Sequence, residues 1–136
     1  MAASVLVDAG FLVALLSRRD ANYPWAVEQP TRHPPPWKTC EAVLSEAFHL
    51  LGARGGPALA MLLDRRAVVC AFQLSEDPEP VLKLMRKYEN VPMSFADACL
   101  VRMTETLADP VLLTTDTDFG IYRRHSRQTV PCVMPG

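Results

Sequence analysis

The chain has 136 residues and is 49% apolar, enough for one domain that buries its own core without disulfide or metal staples. A formal charge of −1 and a pI near 6.3 exclude a generic polyanion binder, so any nucleic-acid contact must come from local patches. Cys40, Cys70, Cys99 and Cys132 contain no CxxC pair, which excludes a zinc knuckle or a thioredoxin-like motif and predicts reduced core thiols.

Met1-Ala2-Ala3-Ser4 runs into the first strand without a charged leader and cleavable apolar segment, and no apolar stretch reaches membrane-spanning length. The expectation is a soluble, cytoplasmic protein with no membrane association. In Ser4-Val5-Leu6-Val7-Asp8 the apolar residues are consecutive, the pattern of a strand covered on both faces. Gly10 to Leu16 reads as a helix ending near Arg18 and Arg19, and a short helical piece covers Trp25 to Glu28. Residues 29–36 read as loop, with Pro34-Pro35-Pro36 a stiff connector into a short strand at Trp37-Lys38-Thr39.

A helix follows from Cys40 to Leu51. At about 100° per residue its apolar stripe is Val43, Leu44, Ala47, Leu50 and Leu51, which puts Glu46 at the stripe's edge, on the core boundary. A lone helix-edge glutamate is usually just solvated, and only other carboxylates nearby single it out. Gly52 and Gly55-Gly56-Pro57 end this helix and start another at Ala58 to Leu63. Ala67 to Phe72 reads as a strand, and Glu76, Asp77 and Glu79 suit the start of the helix carrying Val81 to Met85, where the dipole favours negative charge.

Ser94 caps the next helix, which carries Phe95, Cys99, Met103 and Leu107. Asp97 stands three residues after Ser94, so it suits either a capping box or an acid facing the sheet's carboxyl edge. Pro110 to Asp116 is a second buried strand ending in an acid, with Asp118 just beyond; aspartates after a strand also serve simply as turn residues. The last strand is Thr129 to Val133, whose Pro131 predicts an edge position.

Strands alternating with helices predict a three-layer α/β/α sandwich on a mostly parallel five-stranded sheet, a single domain over residues 1–136. Such sheets bind ligands at the carboxyl ends of their strands. Asp8 and Asp116 both fall there, and side by side they repel unless a cation, Mg²⁺ or Mn²⁺, sits between them.

Val7-Asp8-Ala9-Gly10, then Thr39 to Glu46, then Ser94-Phe95-Ala96-Asp97-Ala98, then Leu113-Thr114-Thr115-Asp116-Thr117-Asp118-Phe119 together resemble the ordered motif set of PIN-domain ribonucleases, across nearly the whole chain. The resemblance implies strand order 3-2-1-4-5 and acids binding Mg²⁺ or Mn²⁺ at the sheet's carboxyl edge. Asp8, Glu46, Asp97 and Asp116 match the family's four principal acids, and Asp118 a frequent fifth. Single-domain members of this length are similar to VapC-type toxins of bacterial toxin–antitoxin pairs, which implies an RNA substrate and a small antitoxin as partner; a homodimer or higher homo-oligomer is also expected. The chain departs from many of them between Asn22 and Pro36, where a proline-rich run replaces more regular helix.

In this reading Asp8, Asp97 and Asp116 ligate the metal, Glu46 positions the water or a second ion, and Asp118 supports the site as a further metal-binding acid. Thr114 and Thr115 hydrogen-bond a ligand carboxylate or the scissile phosphate. Arg123 and Arg124, close behind the acidic motif, track the RNA backbone. The alternatives are a metal-dependent phosphatase or phosphotransferase, a receiver-like domain, for which no strand-end lysine is evident, and a PIN-like interaction scaffold without catalysis.

Overall fold

The computed structural model describes residues 3–136. The strands are β1 (Ser4–Val7), β2 (Trp37–Thr39), β3 (Val68–Cys70), β4 (Pro110–Leu113), β5 (Arg123–Arg124), β6 (Gln128–Thr129) and β7 (Cys132–Val133). The main sheet runs β3-β2-β1-β4-β7 with every pairing parallel, which is the expected order 3-2-1-4-5 with β7 as its fifth strand. A two-residue antiparallel ribbon of β5 and β6, absent from the sequence reading, stands outside it. Pro131 precedes the edge strand β7, where a missing amide donor costs no ladder bond.

The helices are α1 (Ala9–Leu16), α2 (Tyr23–Ala26), α3 (Gln29–Arg32), α4 (Glu41–Asp64), α5 (Pro78–Lys87) and α6 (Phe95–Thr106). Every residue of β1 is buried, as a central strand covered on both faces requires. Around it α1 packs on α4, and α5 on α6. Asp77, which precedes α5, forms an ion pair with Arg102 of α6 at 2.7 Å and so ties those two helices together. Among the described residues no helix is long and apolar enough to cross a membrane.

Three local expectations need correction. Residues 29–32 are the helix α3, with Pro30 in its first turn, where a proline's missing amide is harmless. The segment packs rather than dangles: Gln29 is buried and donates to the Trp25 carbonyl, the Trp37 indole donates to the His33 carbonyl at 2.8 Å, and Trp25 and Trp37 both meet the Phe11 ring edge to face. Helix α4 does break at Gly52, where φ is 64° and ψ −162°, a conformation open to glycine. The expected end of the first helix at Gly52 therefore holds, but the second helix starts directly after it, so Gly55, Gly56 and Pro57 lie inside that second helix rather than ahead of it. Of the four expected core thiols, Cys40 and Cys99 are buried, Cys132 is half-buried and Cys70, at the end of β3, is exposed.

Candidate active site

Strand register decides which side chains meet. Leu6 pairs with Leu112 and Val7 with Leu113, so β1 and β4 end together, and the Asp8 amide donates to the Leu113 carbonyl at 3.3 Å. Asp8 therefore faces the residues that leave β4, Thr114 to Asp116. On the other side the Thr39 hydroxyl, at the end of β2, donates to the Val7 carbonyl at 2.8 Å and fixes where α4 starts.

Asp8 is also the N-cap of α1, one carboxylate oxygen accepting the Phe11 amide at 2.7 Å. The other accepts the hydroxyl of Thr114, which is itself fully buried. Burial pushes the Asp8 carboxyl from 3.8 up to about 6; the bonds from Thr114 and Phe11 pull it down, and the charges of Asp116 and Asp97 raise it further. Thr114 works twice, since its hydroxyl oxygen also accepts the Asp116 amide at 2.9 Å. Asp116 in turn accepts the Asp118 amide at 2.9 Å and caps the 3₁₀ turn Thr117–Gly120.

Asp97 sits in the first turn of α6, its amide held by the Ser94 hydroxyl at 3.0 Å. Its carboxylate accepts the Tyr122 phenol at 2.9 Å and also feels the Ser94 hydroxyl and amide, so a place at the helix start does not keep it out of the cleft. Burial raises the Asp97 carboxyl above its ordinary range; Tyr122 offsets this in part, and the Asp116 charge adds to it. The sequence signal for Tyr122 is slight: an aromatic residue closing the Asp-Phe-Gly-Ile segment of a turn.

Asp8, Glu46, Asp97 and Asp116 line one cleft of about 150 Å³, together with Gly10 and Thr115 and an apolar wall that includes Val43 and Leu50. No Lys, Arg or His is among its lining residues. Four oxygen-donor acids facing one another with no basic side chain suit a hard divalent cation such as Mg²⁺ or Mn²⁺. Asp8 is buried, Asp97 and Asp116 are half-buried and Glu46 is exposed, and among the described residues no three His, Cys, Asp or Glu side chains are drawn together closely enough to hold an ion as they stand. Gly10 matters here because a Cβ on it would collide with the Thr115 hydroxyl oxygen.

Several sequence expectations do not match this geometry. Glu46 is exposed rather than at the core boundary, and Leu50, one turn on, is 57% exposed. Asp118 does not line the cleft and lies toward Tyr122, whose phenol its charge disfavours from ionising, so the four lining acids do not include it. Arg123 and Arg124, expected on the RNA backbone, each make contacts within the chain. The Arg123 guanidinium donates to the carbonyls of Gly120, Ile121 and Tyr122 at 2.8, 3.2 and 3.0 Å. Arg124 donates to the Thr104 carbonyl at the end of α6 and to Gln128 across the ribbon. Both arginines hold the segment that carries Tyr122.

The family model for the PIN domain matches residues 5–124. Among solved structures, the Mycobacterium tuberculosis protein VapC20, described as a Sarcin-Ricin loop cleaving toxin, is similar in fold at a TM-score of 0.73 and 24% identity, over 87% of this chain and 94% of that one. No curated protein matches the sequence.

Proposed function

Because the chain belongs to the PIN-domain family, we propose that it is a metal-dependent endoribonuclease, the toxin of a VapC-type toxin–antitoxin pair. The observation that carries this reading is the cleft of four carboxylates with no basic residue to neutralise them, at the carboxyl edge of a parallel sheet. The likeness in fold to VapC20, a toxin by its description, supports the same reading.

Asp8, Asp97 and Asp116 would hold Mg²⁺ or Mn²⁺, and Glu46, exposed and lining the same cleft, would position a water or a second ion. When bound, such an ion supplies Lewis-acid activation of a water and neutralises charge that builds on the phosphodiester. Thr114 keeps Asp8 aimed and the Asp116 backbone in place, and Tyr122 does the same for Asp97. Thr115, on the cleft wall, is positioned to donate to a phosphate oxygen. Asp118 acts from outside the cleft through the 3₁₀ turn that carries it. The protein contributes no covalent nucleophile.

The partner is a small antitoxin, and the expected assembly is a homodimer or higher homo-oligomer. The expected site of action is the cytoplasm. The test is incubation of purified protein with RNA in Mn²⁺, with sequencing of the ends produced. Defined internal cuts that vanish in chelator and in Asp8→Asn are the expected result. Turnover of a small phosphoester with none of RNA would replace this reading by a phosphatase, and absence of both activities would leave a non-catalytic scaffold.

A further inference from the structure

A second groove, of about 380 Å³, runs between the end of α1 and the broken helix α4 and carries Arg18, Arg19 and Arg54 over a floor that includes Leu16, Leu50 and Leu51. No acid lines it. Leu50 lines both this groove and the acidic cleft, so the two adjoin across that side chain. The break at Gly52 ends the first half of α4 just before Arg54, which joins the arginines that follow α1. Among the described residues the carboxylate ion pairs all belong to Arg102, and none of the three groove arginines donates a side-chain hydrogen bond. Arg123 through Nη1 and Arg124 through Nη2 already donate to backbone carbonyls, whereas among the described residues none of these three guanidinium groups does.

We propose that this groove binds the substrate strand, single-stranded RNA, next to the scissile bond, with Arg18, Arg19 and Arg54 on its phosphates and Leu50 and Leu51 against a ribose or base face. The inference rests on the ribonuclease reading and adds the path of the polymer. An acidic cleft repels polyphosphate beyond the one phosphate its metal neutralises, so a neighbouring basic surface has to hold the flanking chain. A chain of net charge −1 has few such surfaces. With apolar aliphatic residues instead of stacking aromatics, the groove contributes affinity more than base selectivity.

The test compares the unaltered chain with Arg18→Ala/Arg19→Ala/Arg54→Ala, using a fluorescein-labelled single-stranded RNA. Binding is read by anisotropy in chelator across a salt series, and cleavage in Mn²⁺. Each lost phosphate contact lowers the log–log salt slope by about 0.7, so the triple variant loses about 2 units. KM rises while kcat is held, because the acids are untouched. Arg65→Ala/Arg66→Ala is the comparison patch and keeps the full slope. Arg18→Lys/Arg19→Lys/Arg54→Lys retains the charge and most of the slope, which covers the case in which the alanine variant does not fold. An unaltered slope and KM in the triple variant, or the same loss in the Arg65/Arg66 pair, overturns the proposal. So does a variant that binds RNA normally but loses binding of a glutamate-rich peptide, which would make the groove a protein-docking site. If the unaltered chain neither binds nor cuts RNA, the ribonuclease reading itself has failed.

Discussion

Tyr122 donates its phenol hydrogen to Asp97 at 2.9 Å from a position with no solvent exposure at all. Its ring meets Tyr88 and Phe119 edge to face at 5.2 and 5.3 Å between centroids, so the hydroxyl has one direction to point. A buried donor aimed at a rim carboxylate fixes which oxygen is left for the cleft.

Tyr122→Phe keeps the ring packing and deletes that donor. Metal affinity, read by calorimetric titration with Mn²⁺, is expected to fall about 10- to 100-fold, as for other residues that orient a ligand. Stability in chelator should fall by only about 1 kcal/mol. A variant with unchanged affinity and a lower melting temperature would reduce Tyr122 to a packing residue.

Asp8 makes stability depend on pH in an unusual direction. Its folded pKa of about 6 lies above the ordinary 3.8, so between those values the folded chain binds more protons than the unfolded one. Without metal, this group's effect is most favourable below about pH 4 and is lost as pH rises through about 6, on the order of 3 kcal/mol in all. The Asp97 shift has the same sign. Melts in chelator at about pH 5 and about pH 7.5 should therefore favour the acid side, with Asp8→Asn flattening the difference. If Mn²⁺ binds at Asp8 as proposed, it should reverse the trend, because it would compete with the proton for the same oxygens. Equal pH profiles for the unaltered chain and Asp8→Asn would contradict the assignment.

Much of this arrangement is legible in the sequence, because it depends on where buried strands end. Asp8 and Asp116 are placed by consecutive apolar residues before them, and the parallel register of β1 and β4 then brings them together. Glu46 follows from helical periodicity, which gives the direction of a side chain but not its depth; the apolar stripe extended onto Leu50, which the fold leaves exposed. What stayed hidden depends on contacts between distant segments. Tyr122 reaches Asp97 across 25 positions, and Arg124 finds the Thr104 carbonyl across 20. A basic pair behind an acidic motif gives no sign in the sequence that it also clasps backbone carbonyls, because those carbonyls come from the preceding turn and from the end of α6. The helix α3 is hidden in the sequence because a proline-rich run masks a proline that sits harmlessly in a first turn.

The two aspartates after β4 should separate in function. Asp116 lines the cleft and Asp118 does not, so Asp116→Asn is expected to abolish detectable cleavage and remove most of the Mn²⁺-induced stabilisation. For the unaltered chain that stabilisation is about 2.7 kcal/mol when the ion is at about 100 times its dissociation constant. Asp118→Asn should retain most of the thermal shift and measurable activity. Equal losses in both variants would bring Asp118 back among the ligands.

Gly10 and Thr115 give a test of the cleft that does not depend on catalysis. A methyl group at residue 10 meets the Thr115 hydroxyl oxygen, whereas the Thr115 Cβ stands 3.5 Å away, an ordinary contact. Gly10 lies in α1, where alanine is otherwise the better helix former by up to about 1 kcal/mol. Gly10→Ala should nevertheless destabilise the chain by about 1–3 kcal/mol, because Thr115 is forced off its position against the start of α1. Adding Thr115→Ala removes the clashing atom, so the double variant should recover stability beyond the sum of the single changes, with a coupling of at least about 0.5 kcal/mol in urea unfolding. Strictly additive effects would mean that the two residues do not touch, and that the cleft wall between α1 and the segment after β4 is more open than this geometry has it.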